Sequence, residues 1–162
     1  MLHKILSTAT LETWLKEQKA NNAKIVFTNG CFDLVHVGHI KCLQEAKTHG
    51  SVLFVGVNDD ASVARLKGDT RPIHHIDDRM RMLAALETVD AVIPFHEDNP
   101  LRLIETIGPD ILVKGGDYSI DQIIGAEYVK ENGGEVVIIP LEEGYSSTNL
   151  IRKIKNLPSE DV

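Results

Sequence analysis

Residues 28–39 read Thr28-Asn29-Gly30-Cys31-Phe32-Asp33-Leu34-Val35-His36-Val37-Gly38-His39, or TNGCFDLVHVGH. Ahead of them, KIVF is a short apolar run of strand character. Behind them, IKCLQEAKTHG carries a helical pattern closed by Gly50. A buried strand that turns through a glycine and passes straight into a helix is the opening unit of a parallel α/β layer. His36 and His39 fall on the first turn of that helix, where free backbone N–H groups and the helix dipole favour an anion. Gly38 removes a side chain where a ligand must approach the backbone. Two imidazole N–H donors at that end suit a phosphate that gains negative charge during a reaction.

The alternation continues along the chain. Strands are predicted at 24–29, 52–58, 91–95, 111–115 and 135–140, with helices at 11–19, 38–49, 61–66, 77–87, 101–107, 120–132 and 148–155. The strand runs are almost wholly apolar, the pattern of a sheet covered on both faces. They predict an α/β fold, a five-stranded parallel sheet with helices on either side. Polar and glycine-rich residues collect just past each strand: TNG, ND, FHED, KGGDY and EEGYSST. In open parallel sheets that edge binds ligands. One domain is expected over 1–162, with a core at about 24–155, an N-terminal helix within 8–20 and a loose tail at 156–162.

The totals fit an ordinary globular protein: 162 residues, 43% apolar and 25% charged. A formal net charge of −7 argues against a nucleic-acid binder, though a local field can still favour a small anionic substrate. Cys31 and Cys42 form neither a metal motif nor a disulfide framework and read as reduced packing residues. The N-terminus has no signal-peptide pattern. No apolar run reaches the roughly 18–20 residues of a membrane span, so no membrane insertion and a cytoplasmic location are expected.

A histidine pair at this spacing also suits a metal, but no third ligand lies near, and the adjacent His74 and His75 point in different directions. No metal site is expected. The turn Gly144-Tyr-Ser-Ser-Thr-Asn-Leu-Ile-Arg152 sets hydroxyls at the start of the last helix, where they cap it or, with free amides, cradle phosphate. Lys67 and Arg71 in RLKGDTRP, and Arg79 in IDDRMRML, supply positive charge.

TNGxFDxxHxGH at the end of a first strand, with the Ser146-Ser147-Thr148 turn, resembles the nucleotidylyltransferases of the cytidylyltransferase-like superfamily. The resemblance implies a Rossmann-like fold and transfer of a nucleoside monophosphate from a triphosphate to a phosphate oxygen, with release of pyrophosphate. It implies that His36, His39 and Lys67 serve the chemistry. Thr28, Asn29, Gly30, Phe32 and Gly38 would line the nucleotide, while Arg79, Ser146, Ser147 and Thr148 would hold the triphosphate. Mg²⁺ would arrive mainly on the ATP phosphates.

PDILVKGGDY (109–118), RLKGDTRPI and GAEYVKENGGEVVIIPLEEGYSSTNLI narrow the resemblance to the adenylyltransferase branch that forms ADP-heptose for bacterial surface polysaccharide. ATP and a heptose 1-phosphate are the implied substrates. The chain opens at Met1, resembling the standalone form, whose acceptor comes from a separate heptose kinase. The family also brings a homodimer, which no residue here derives. Glycerol- and choline-phosphate cytidylyltransferases read RTEGIST where this chain has LEEGYSS (141–147), and a GDDW-like segment where it has Gly115-Gly-Asp-Tyr118. A non-catalytic nucleotide sensor would show eroded signatures, whereas both are whole. Lys114 and Asp117 are candidate contacts to the sugar hydroxyls or phosphate. Asp33 is a candidate either for substrate or for orienting its own loop through nearby amides.

Overall fold

A computed structural model of the chain describes residues 2–140, 142 and 144–158. A 3₁₀ turn at Leu2–Lys4 precedes α1 (Thr8–Ala20), β1 (Ile25–Gly30), α2 (Val37–Thr48), β2 (Val52–Asn58), α3 (Asp60–Lys67), α4 (Ile76–Ala84) and β3 (Ala91–Phe95). Then come α5 (Leu101–Ile107), β4 (Ile111–Gly115), a 3₁₀ turn (Ile120–Gln122), α6 (Ala126–Glu131), β5 (Glu135–Ile139) and α7 (Ser147–Lys155). The strands form one five-stranded parallel sheet in the order β3-β2-β1-β4-β5.

That order explains the two covered faces. Going from β1 to β2 to β3 the chain steps one way across the sheet; after β3 it returns past β1 to β4 and steps the other way. Right-handed crossovers then send the helices of the two halves to opposite faces. Leu43 and Ala46 of α2 and Leu83 of α4 pack with Val26, Leu53 and Val55. Ile104 and Ile107 of α5 and Val129 of α6 pack with Phe27, Phe54 and Leu112, joined by Leu11 and Leu15 of α1. Consecutive strand residues such as Val26 and Phe27 serve opposite layers, as the two-residue side-chain period requires. Every residue of β2 is buried, the physical counterpart of its apolar run up to Asn58 at the carboxyl end. This is the α/β, Rossmann-like fold that the sequence implies.

Boundaries moved by a few residues, with one larger change. The helix expected over 120–132 is two pieces separated at Gly125, which has φ +87°. A Cβ there would lie 2.6 Å from Ile104 Cδ1, so close packing on α5 and a left-handed backbone both require glycine. The helix expected over 77–87 ends at Ala84. Of the tail expected to be loose, residues 159–162 lie outside the described residues.

Between β1 and β4 the chain direction across the sheet reverses. The carboxyl ends of these two strands, with the start of α2, bound a crevice of the kind that binds ligands in this architecture.

Candidate active site

A cleft of about 290 Å³ opens at that crevice. Five parts of the chain wall it: Thr28 to Asp33 at the end of β1, His36 to His39 at the start of α2, Lys67 at the end of α3, Lys114 and Gly115 at the end of β4, and Tyr145 to Thr148 leading into α7. Residues more than a hundred positions apart thus share one wall because the switch in strand order brings β4 and the turn into α7 to the carboxyl end of β1.

His36 caps α2 from an extended backbone, and its amide approaches Nδ1 of His39 at 3.4 Å. With Nδ1 accepting, the His39 ring proton belongs on Nε2. The two rings stack, with centroids 3.9 Å apart and planes 24° from parallel. Burial, the neighbouring His36 and then Lys67 push the His39 pKa down to about 4. Burial also lowers that of His36. His39 is therefore a neutral ring at pH 7, able to donate one directed hydrogen bond. His36 Nδ1 is buried without a hydrogen-bond partner.

Gly38 has a steric reason to be glycine that is independent of any ligand. A Cβ there would lie 3.1 Å from His36 Cε1 and Nδ1 and 3.2 Å from Tyr145 Cβ. The His36 ring lies over the space a side chain would fill. Phe32 sits at φ +47°, an uncommon conformation for a non-glycine residue. Its buried ring packs 5.2 Å from His39, centroid to centroid.

At the opposite wall, the Ser146 side chain caps α7 by accepting from Asn149 N–H at 3.1 Å. Ser147 Oγ donates to the Leu34 carbonyl at 3.3 Å, tying α7 to the first motif. The amides of Ser147 and Thr148, in the first helical turn, have no intrahelical acceptor, and Thr148 lines the cleft. The turn caps the helix and leaves free amides of the kind that can take an anion.

Lys67 and Lys114 bring cationic groups to the walls from the two halves of the sheet. Burial lowers the Lys114 pKa, while Cys31 and Cys42 pull it back upward. Its ammonium lies 5.6 Å from the Tyr118 ring centroid.

Asp33 lines the cleft and is 1% exposed. It does not bond the amides of its own turn. Its Oδ1 accepts from Ile73 N–H at 2.7 Å and His74 N–H at 2.9 Å, and its Oδ2 accepts from Arg71 Nε at 2.5 Å. Burial tends to raise its pKa, but the His74 amide, Arg71 and the Ile73 amide outweigh this and hold the carboxyl below its ordinary range. Asp33 thus ties down residues 71–74 rather than orienting its own loop.

Two expected residues are not brought to the cleft wall. Arg79 is 0% exposed, and its guanidinium donates to the carbonyls of Cys31, Asn58 and His74 and to Asp60 Oδ1. It ties the ends of β1 and β2 to α4, with its donors spent on the protein rather than on a triphosphate. Asp117 lies in the exposed stretch after Gly116, off the wall. His74 and His75 gain an explanation. The His74 backbone joins Asp33 to Arg79, while the exposed His75 ring pairs with Asp60 at 3.1 Å.

Cys31, Cys42, Glu142 and Tyr145 were not expected at the cleft, yet all line it. Cys31 and Tyr145 sit inside the two motifs themselves, which was the available signal. Both cysteines are free thiols, and burial raises the Cys42 pKa. Among the described residues no group of three or more His, Cys, Asp or Glu side chains is placed to hold a metal ion. No described helix is long and apolar enough to cross a membrane.

Residues 27–153 match the family model described as cytidylyltransferase-like. The chain is 51% identical over 154 residues to the bifunctional protein HldE of Azotobacter vinelandii, covering 95% of this chain and 32% of that protein. It is likewise 51% identical over 152 residues to the HldE of Geotalea uraniireducens, covering 94% of this chain and 31% of that protein. The chain spans about a third of the length of the curated relatives it matches. Among solved structures, a lipopolysaccharide core biosynthesis protein from Thermoplasma volcanium aligns with a TM-score of 0.60 at 31% identity, over 76% of this chain and 99% of that one. A pantoate-beta-alanine ligase from Francisella tularensis aligns at TM-score 0.63, over 97% of this chain and 74% of that one. At 16% identity, that second likeness speaks for the fold alone.

Proposed function

The chain belongs to the cytidylyltransferase-like family and is a nucleotidyltransferase, and on that premise we propose that it transfers AMP from ATP to D-glycero-β-D-manno-heptose 1-phosphate. The products are ADP-heptose, for bacterial surface polysaccharide, and pyrophosphate. The observation that carries the reading is the meeting of a neutral stacked histidine pair, two wall lysines and an open helix start around one cleft. The choice of sugar is supported by the identity of about half to the HldE proteins and by the likeness to a lipopolysaccharide core biosynthesis protein.

In this reading an oxygen of the acceptor phosphate attacks the α-phosphorus of ATP. One P–O bond forms, the α–β bridging P–O bond breaks, and its electron pair leaves with pyrophosphate. A phosphate monoester is already anionic near neutral pH, so no general base is required. Alignment and charge neutralisation are the protein's tasks. Thr28, Asn29, Gly30, Phe32 and Gly38 bound the nucleotide. His39 Nε2–H and His36 donate to oxygens on the transferring phosphate, while Lys67 and the Ser146–Thr148 turn face the β and γ groups. Lys114, on the other wing, meets the acceptor phosphate, whose charge offsets the cost of burying an ammonium.

The described residues offer no carboxylate cluster for a resident cation, so Mg²⁺ fits this cleft as part of MgATP, where it neutralises phosphate charge. A kinase acting on the anomeric hydroxyl supplies the acceptor. These are cytoplasmic metabolites, so the proposed location is cytoplasmic.

The test is pyrophosphate release with Mg²⁺, using ATP and CTP each against heptose 1-phosphate, glycerol 3-phosphate and phosphocholine. Release with ATP and heptose 1-phosphate alone is the expected result. Release with CTP and a phosphoalcohol would replace the substrates and keep the chemistry. ATP binding without release from any pair would turn the reading to a nucleotide sensor.

A further inference from the structure

Among the described residues the cleft wall carries two carboxylates, Asp33 and Glu142. Asp33 is taken up by the protein on both oxygens, through the amides of Ile73 and His74 and through Arg71. Glu142 is not. Its side chain is 42% exposed, and Lys41 Nζ donates to its Oε1 at 2.5 Å. Among the described residues Oε2 takes no hydrogen bond. The Tyr145 amide approaches the Glu142 carbonyl at 3.4 Å, so Glu142 opens the same turn that leads through Tyr145 into α7.

Its place follows from the sheet. β5 pairs with β4 so that Ile139 stands opposite Gly115, and Glu142 comes just after that point. It therefore reaches the cleft from the β4–β5 side, whereas Lys67 arrives from α3, after β2, on the other side of β1. Gly38, Cys42 and Glu142 line both the cleft and an adjoining groove that Lys41, Gln44 and Pro140 also border.

An anionic side chain facing two anionic substrates is repelled by their phosphates unless it meets a neutral part of one of them. Lys41 offsets its charge without covering it. An ionised carboxylate only accepts hydrogen bonds, and its two oxygens hold about four lone pairs, so the bond from Lys41 leaves both oxygens open. Phosphate oxygens bring no donor to it. The edge of adenine sets a ring-nitrogen acceptor beside its amino group, which opposes the second carboxylate oxygen. A vicinal diol offers two donors side by side, and acidic side chains hold ribose hydroxyls in other sheets of this architecture.

We propose that Glu142 is a specificity-determining residue of this cleft that binds a vicinal diol of a substrate through its carboxylate, with Lys41 as the positioning residue that orients it. The assignment rests on the nucleotidyl-transfer reading above. In that reaction two groups carry such a diol, the ribose of ATP and the sugar ring of the acceptor.

Glu142→Ala and Glu142→Gln separate the two sources. The first removes the acceptors, and the second keeps the size but replaces one oxygen with a donor. Calorimetric binding of MgATP, Mg-2′-deoxy-ATP and inorganic pyrophosphate reads the ribose. If the diol is the ribose, wild type favours ATP over the deoxy analogue by about 10- to 100-fold, the worth of a hydrogen bond to a charged group. Both variants then lose that preference, while pyrophosphate affinity holds. If the diol belongs to the acceptor, ATP affinity holds and KM for heptose 1-phosphate rises by about the same factor, with kcat retained. Unchanged ATP preference together with unchanged acceptor KM overturns the assignment. So does an equal loss for pyrophosphate, which marks a change in overall charge or fold. Failure of the wild-type protein to bind ATP and to release pyrophosphate with any acceptor would instead overturn the nucleotidyl-transfer reading itself.

Discussion

His39 lies under His36 with ring centroids 3.9 Å apart, and its Nδ1 faces the amide of the same residue it stacks on. The capping geometry of α2 therefore fixes at once the tautomer, the orientation and the charge state of the ring. A protonated His39 would put a cation against a second imidazole and near Lys67, in a place largely closed to water.

That arrangement has a signature in stability. His39 titrates near 4 in the folded protein against an ordinary 6.5. Between those values the unfolded chain binds more protons than the folded one, so stability falls as pH drops from 6.5 toward 4. Thermal melts at pH 7 and pH 5 should show a larger drop for wild type than for His39→Gln. Equal drops in the two proteins would remove His39 as the cause.

His39→Ala should reduce the single-turnover rate of nucleotidyl transfer by about 10²–10³-fold, the usual loss for one transition-state donor. ATP affinity should change far less, because Ser146–Thr148 and Lys67 remain. A large loss of ATP affinity with the rate at saturation preserved would make His39 a ground-state binding residue.

Gly38→Ala asks whether the space beneath His36 matters. The added methyl would sit 3.1 Å from the ring and 3.2 Å from Tyr145 Cβ, so one of them must shift by a few tenths of an ångström. A tenfold or larger fall in turnover is expected, since misplacement of about 1 Å can cost 10²-fold. The melting temperature should move little. Full activity would show that the ring tolerates displacement.

Arg79→Met should act on the fold. It leaves the carbonyls of Cys31, Asn58 and His74 and the Asp60 Oδ1 without this donor, and a buried polar group left unpaired costs about 1–3 kcal/mol. Urea denaturation should show the loss with and without nucleotide. Unaltered stability with weakened ATP binding would return Arg79 to the direct role expected of it from sequence.

Lys114→Met tests the other wing. Because burial disfavours the Lys114 charge in the empty protein, removing the ammonium should leave stability equal or raised. KM for the sugar phosphate should rise about tenfold or more while ATP affinity holds. A parallel loss for both substrates would place Lys114 on the shared reacting phosphate.

The layers were legible because buried parallel strands leave unbroken apolar runs, and β2 carried this signal without a polar interruption. The helix over 120–132 was misread as continuous because the apolar period runs straight through Gly125, whose left-handed backbone is set by contact with Ile104. At the site, the two contiguous motifs were readable since each places its residues by local turn geometry. The partners of Asp33 and Arg79 were not. Asp33 reaches about forty positions ahead to residues 71–74, and Arg79 reaches back to Cys31 and Asn58. Nothing in local spacing encodes which strand ends become neighbours. A buried arginine on an amphipathic helix also looks like any surface arginine until the carbonyls that satisfy it are in place.

The order β3-β2-β1-β4-β5 has a consequence for how the protein comes into being. As the chain leaves the ribosome, β1 and its histidine turn emerge ahead of β4 and α7, and the cleft then has a wall on one side only. The opposite side arrives with β4, and the hydroxyl turn comes later still, with α7. A nascent chain holding the whole first motif therefore has nowhere to hold a triphosphate. If the proposed reading holds, nucleotide affinity appears only when α7 has docked, which makes ligand binding a reporter of an assembled cleft as well as of correct folding.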